Sequence, residues 1–262
     1  AVSNTGNTPN GNPPIDMGAH ESDGSALGSG PGVLYVDASA TGAADGSTWS
    51  DAFPSLQDAL HAASKGTEIW MAGGVYYPDE GSGVPDGKED TSFVIDKNLE
   101  IYGGFDGTES SLSERGFPFD PRTVLSGDID QDDTRLDSLS TDILGTNSDH
   151  VLYLDGADAT SITRATVLSG LWITGGQADG ADFVSSAGGG LYCYGAGSGG
   201  TCNPSFTDVL FFKNRADLGG AVFNDGALGG ESSPRFTRAF FYQNVADKDG
   251  GYEDLPSRGG AM

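Results

Sequence analysis

Residues 204–217 read Pro-Ser-Phe-Thr-Asp-Val-Leu-Phe-Phe-Lys-Asn-Arg-Ala-Asp, and residues 234–247 read Pro-Arg-Phe-Thr-Arg-Ala-Phe-Phe-Tyr-Gln-Asn-Val-Ala-Asp. Phe206, Phe211, Asn214 and Asp217 therefore return, in order, as Phe236, Phe241, Asn244 and Asp247. An internal repeat of about 20–50 residues is the signature of a solenoid or array of stacked units. In a coil of strands, equivalent positions lie on one another at about 4.8 Å. Phe206 over Phe236 and Phe211 over Phe241 then fill the interior, and Asn214 over Asn244 forms an amide ladder at an inward turn. Between the two copies stands Gly-Gly-Ala-Val at 219–222, anticipated by Gly-Gly-Gly-Leu at 188–191 and echoed by Gly-Gly-Ala-Met at 259–262. Such glycines supply turns that side chains would obstruct.

The rest of the chain fits the same plan. Residues 1–32 are rich in Gly, Asn, Ser and Pro and read as an arm or linker, with Ile15 and Met17 alternating as in a short strand. Strands are expected near 33–36, 68–72, 75–78, 92–95, 99–102, 123–126, 150–154, 165–168 and 171–174. Only one connection reads as a helix, at about 55–64. Leu56, Ala59, Leu60 and Ala63 give it one apolar face, Pro54 suits its first turn, and Gly66 suits its end. A doubly wound α/β sheet needs a crossover helix between most parallel strands, and a β-sandwich does not require the same side chain every thirty residues. The fold class expected is all-β: a right-handed parallel β-helix with a capping helix, spanning 33–262, with its repeats concentrated from about 165 onward.

Thirteen basic residues against 38 acidic ones leave a formal charge of −25. That surface repels phosphate backbones, so no nucleic-acid partner is expected. No apolar run is long enough to span a bilayer. The acidic balance favours cations, and Asp128, Asp130, Asp132, Asp133 and Asp137 crowd into one stretch. Alternating aspartates are characteristic of calcium loops, although this run lacks the glycine and terminal glutamate of an EF-hand. The stretch reads either as a calcium site or as a solvated acidic loop. Cys193 and Cys202 are the only cysteines, and they either close a small disulfide loop or remain two structural thiols.

Recognisable catalytic constellations are lacking. His20, His61 and His150 are scattered, and His61 falls on the helix as a surface residue. Arg235 and Arg238 share a strand, and Asp208 stands opposite Arg238 in the repeat register, the pattern of a cross-strand ion pair. Trp70, Tyr76, Tyr77, Tyr102 and Trp172 offer either a sugar-stacking face or core packing, and alternation along the strands favours packing.

Gly219–Val222, with Phe-Phe-Lys-Asn at 211–214 and Phe-Tyr-Gln-Asn at 241–244, resembles the GGA(I/L/V) and FxxN repeats of polymorphic outer-membrane proteins. Those repeats build right-handed parallel β-helices on bacterial surfaces. Val33–Asp37, Leu56–Leu60 and Glu68–Tyr76, continued by Tyr102–Phe105, Leu125–Asp128 and Leu171–Gly176, resemble the start of secreted bacterial β-helix proteins with pectin-lyase-like folds. The segment Ile15–Glu21 is similar to the one that often closes such domains at their carboxyl end. The resemblance implies a slice of a longer tandem protein, or an arm that completes a neighbouring subunit.

The function expected is an extracellular or cell-surface structural or adhesive element without enzymatic activity. It self-associates head to tail through Ile15 and Met17 of the arm and through the open coil at Gly259, Gly260 and Met262. The alternative is a carbohydrate-binding protein or polysaccharide lyase acting on a cell-surface glycan.

Overall fold

The computed structural model describes residues 32–116, 120–133, 143–157 and 161–247. The arm with Ile15 and Met17, and the final Gly259, Gly260 and Met262, lie outside the described residues. The chain is predominantly β, and every pairing between its strands is parallel.

One stack runs through β1 (Val33–Val36), β2 (Glu68–Ala72), β5 (Glu100–Phe105), β8 (Val167–Ser169), β13 (Ser205–Phe212) and β17 (Arg235–Tyr242). A second runs through β3 (Gly74–Tyr76), β6 (Thr123–Ser126) and β9 (Leu171–Thr174), and joins the first at the far half of β13. The opposite wall is β4 (Phe93–Ile95), β7 (Leu152–Asp155), β11 (Leu191–Tyr194) and β15 (Val222–Asp225). Two smaller stacks complete the set: β10 (Gln177–Ala178), β14 (Arg215–Ala216) and β18 (Val245–Ala246), then β12 (Thr201–Cys202) with β16 (Glu231–Ser232). The parallel sheets curl around one apolar core that includes Ile69, Phe93, Ile101, Leu152, Leu168, Leu191, Phe206 and Phe211.

The way the repeat folds explains why it recurs. Phe206, Val209 and Phe211 all point inward and are fully buried. Simple alternation would send Phe206 and Val209 to opposite faces. Asp208 takes a left-handed backbone (φ 52°) and inserts one extra step, so both face the core. Arg238 does the same in the next rung (φ 49°), and Gly170 occupies the equivalent place between β8 and β9 (φ 72°). Glycine adopts this conformation freely, whereas arginine does so at a cost. At Arg238 that cost is offset by a bidentate pair, Nε to Asp208 Oδ1 at 2.5 Å and Nη2 to Asp208 Oδ2 at 2.6 Å.

The aromatic columns stack as the repeat requires. Phe206 and Phe236 have ring centroids 5.1 Å apart, and Phe211 and Phe241 are 5.2 Å apart with nearly parallel planes. At the adjoining turn Asn214 Nδ2 donates to the Asn244 side-chain oxygen and to the Ile173 carbonyl, both at 2.9 Å. In the Gly-Gly-Gly-Leu turn, a Cβ at Gly190 would lie 2.6 Å from the Ala221 carbonyl and 2.9 Å from the Phe211 ring. Close approach of one rung to the next therefore excludes any side chain there.

The helix α1 is shorter than expected, Leu56–Ala62. Ser55 is its N-cap, accepting from the Asp58 amide at 3.2 Å, so Pro54 stands before the helix and outside its first turn. Its buried Leu56, Ala59 and Leu60 pack toward β1 and β4, covering the first rungs.

Candidate functional site

The acidic run folds back on itself at the lateral edge of β6. Asp128 forms an isolated antiparallel bridge with Asn147, and its two carboxylate oxygens accept the amides of Asp132 and Asp133 at 3.0 and 3.1 Å. Asp130 accepts from Thr146 at 2.8 Å, and Asp133 accepts from Leu144 at 2.5 Å and from Asn147 Nδ2 at 3.1 Å. Gly145 turns with φ 58°, where any Cβ would collide with the Asp130 and Asp132 carboxylates. One carboxylate oxygen from each of Asp128, Asp132 and Asp133 lies within 4.8 Å of the other two. Asp130 stands beside this set and is held by Thr146, and Asp137 is outside the described residues.

These carboxylates repel one another. Burial, reinforced by the charges of Asp133 and Asp130, pushes the Asp128 carboxyl up to about 6. Asp133 is raised chiefly by burial, and Tyr77 is raised by burial and by the facing Asp128 and Glu80. No ion pair among the described residues relieves the cluster. Its chemistry is that of hard oxygen donors.

Cys193 and Cys202 are joined in a disulfide with Cα atoms 5.7 Å apart, and both residues are fully buried. The bond ties β11 to β12 across the glycine-rich loop. Asp208 and Arg238 satisfy each other, and Arg235 is exposed on β17, so the three do not assemble into a catalytic group. The aromatic residues are largely consumed by packing. Trp70 and Tyr76 are buried, Arg115 lies over Tyr102 at 5.5 Å, and Arg122 lies over Trp172 at 4.8 Å. His61 is exposed on the helix, as its position in the sequence suggested.

His150, scattered in the sequence from the other histidines, lies beside a group of carboxylates. It is 5% exposed, and burial holds its imidazole down to about 4. Beside it the Asp149 carboxyl is pushed up to about 7, by burial first and then by Glu89, Asp179, Asp182 and Asp90. The only sequence signal was the adjacent Asp149-His150 pair at the start of a strand. The other carboxylates come from segments about 60 residues upstream and 30 downstream.

No family model matches the chain, and searches of curated proteins and of solved structures return no match. No helix among the described residues is long and apolar enough to cross a membrane.

Proposed function

We propose that the chain is a right-handed parallel β-helix that serves as an extracellular structural or adhesive element and assembles end to end. The observation that carries this reading is the β17 rung. Phe206, Val209 and Phe211 are fully buried one rung earlier, whereas their counterparts Phe236, Ala239 and Phe241 are only partly covered. Among the described residues, β15, β16, β17 and β18 each end their stack. A strand that ends its stack among the described residues, with half-covered phenylalanines, is suited to receive another parallel strand. The arm with Ile15 and Met17 is the segment that supplies it from a neighbouring copy, because α1 covers the first rungs and bars direct coil-on-coil stacking. A head-to-tail contact of this kind propagates.

Two features support the extracellular setting. The Cys193–Cys202 disulfide suits an oxidising compartment, and the net charge of −25 suits a solvated surface exposed to divalent cations. In this reading calcium binds Asp128, Asp132 and Asp133 and fastens the lateral loop. The alternative of a carbohydrate-binding protein or lyase has weaker support, since the aromatic faces are covered and Arg238 is committed to Asp208.

Sedimentation velocity on the full chain and on a chain lacking residues 1–32 tests the mechanism. Concentration-dependent oligomers that vanish with the deletion are expected. Assemblies unchanged by the deletion would remove the arm from the mechanism.

A further inference from the structure

A second feature, independent of assembly, lies on the flank of the β4–β7–β11–β15 wall. There a cavity of about 420 Å³ opens between the start of β4, the start of β7 and the loop before β11. Its carboxylates are Asp90, Asp149 and Asp182, and its apolar walls are Val94, Val184 and the ring of Tyr153. Val94 and Val184 are 46% and 39% exposed and give the cleft an apolar side. Tyr153 itself is anchored by stacking on Tyr192, with centroids 5.5 Å apart and planes at 9°.

His150 also lines this cavity and supplies the observation that points to a ligand. Its Nδ1 lies 3.1 Å from the Gly188 carbonyl, a group that only accepts, so Nδ1 carries the proton and Nε2 presents a lone pair. Nε2 makes no hydrogen bond among the described residues, and the side chain as a whole is more than nine-tenths buried. Apart from the Ser92, Ser185 and Tyr153 hydroxyls, the polar side chains of the lining are acceptors. Among the described residues, no lysine or arginine lines the cavity. A fitting ligand must bring donors and positive charge.

A compact metal ion fits poorly. Among the described residues only Asp128, Asp132 and Asp133 bring their ligand atoms within 4.8 Å of one another, and the carboxylates of this cavity are more widely spread. Spread acceptors beside an apolar wall suit an ammonium group carried on a hydrocarbon stem.

We propose that this cavity binds a primary ammonium group on an aliphatic stem, with Asp149 and His150 Nε2 receiving its N–H groups and Val94, Val184 and Tyr153 packing the stem. A free polyamine and a lysine side chain of a partner protein share this chemistry. The negative surface concentrates either one and excludes uronates, so the site is distinct from a polysaccharide-lyase cleft.

Titration of the ¹⁵N-labelled full chain with n-pentylamine at neutral pH, followed by NMR, tests the assignment, with 1-pentanol as the uncharged control. Saturable shifts at the amides of Val94, His150 and Ser185 are expected with pentylamine only. Asp149→Asn, which preserves shape, should weaken binding by about tenfold or more, the usual effect of losing a charge-assisted hydrogen bond. Asp130→Asn, in the separate acidic loop, should leave it unchanged. Tighter binding of 1,5-diaminopentane than of Nα-acetyl-lysine methylamide would identify a polyamine as the source, and the reverse order a protein side chain. Equal shifts with pentanol and pentylamine, absence of saturable shifts, or unaltered affinity in Asp149→Asn would each overturn the proposal.

Discussion

Asn214 and Asn244 occupy the same turn in successive rungs and hold each other there. The Asn244 side-chain oxygen receives both the amide nitrogen and Nδ2 of Asn214, at 3.1 and 2.9 Å. Asn244 Nδ2 in turn donates to the Phe211 carbonyl at 2.9 Å, and Asn214 Oδ1 accepts from Gly176 at 3.1 Å. The ladder thereby supplies partners for backbone groups that the turn removes from the sheets. Replacing Asn214 by Ala leaves the Ile173 carbonyl and the Gly176 amide without these partners in a buried setting. The expected loss is about 2–4 kcal/mol, read by chemical denaturation. Asn244→Ala, on the less covered rung, should cost less.

The phenylalanine columns predict a similar gradient. Phe211→Ala removes a fully buried ring stacked on Phe241 and should cost about 3–5 kcal/mol. Phe241→Ala, on the partly covered β17, should cost clearly less in the monomer. If assembly covers that rung, the two costs should converge in the assembled state. Equal costs in the monomer would mean that the last rung is already enclosed.

Reduction of the Cys193–Cys202 disulfide should lower stability without abolishing the fold. The bond closes a loop with a sequence separation of 9. Chain-entropy arguments give about 2.5 kcal/mol for a loop of that size. Denaturation of Cys193→Ser/Cys202→Ser against the parent measures it, and a loss of zero would show that neighbouring rungs already fix the loop.

The acidic groups determine the pH dependence. Asp128 and Asp149 are raised from 3.8 to about 6 and about 7 in the fold. Between these limits the folded chain binds protons that the unfolded chain has released, so stability falls as pH rises. Asp149 is faced by Glu89, Asp90, Asp179 and Asp182, and His150 stands beside it. His150, lowered from 6.5 to about 4, acts oppositely over that interval and contributes nothing further above it. The acids prevail, so Tm should fall between about pH 5 and about pH 7.5 in the absence of divalent ions. Asp149→Asn should flatten the upper part of the decline.

Calcium should reverse this decline at the acidic loop. At a hundredfold excess over Kd, a ligand that binds only the fold stabilises it by about 2.7 kcal/mol. The gain in Tm on adding calcium at neutral pH should be largely lost in Asp128→Asn. A solvated loop without a site would show the same small response in both proteins.

The parts legible in the sequence are those fixed by the repeat register. Phe206 over Phe236 and Asn214 over Asn244 follow from stacking identical positions at one period, and the structure places them so. The extra step at Asp208 and Arg238 was not legible, because a left-handed backbone at non-glycine residues has no local sequence signal. The acidic run was visible as composition, but only folding decides that Asp132 and Asp133 turn onto Asp128 while Asp130 turns to Thr146. The cavity at Asp149 was hidden for a different reason. Its members come from three distant segments that share a face only after the parallel sheets curl.

The most direct test of the account is negative-stain electron microscopy of the purified full chain in calcium-containing buffer. Rods or filaments that lengthen with protein concentration and disappear when residues 1–32 are removed are expected. Uniform single particles the size of one chain, at every concentration and with the arm intact, would contradict it.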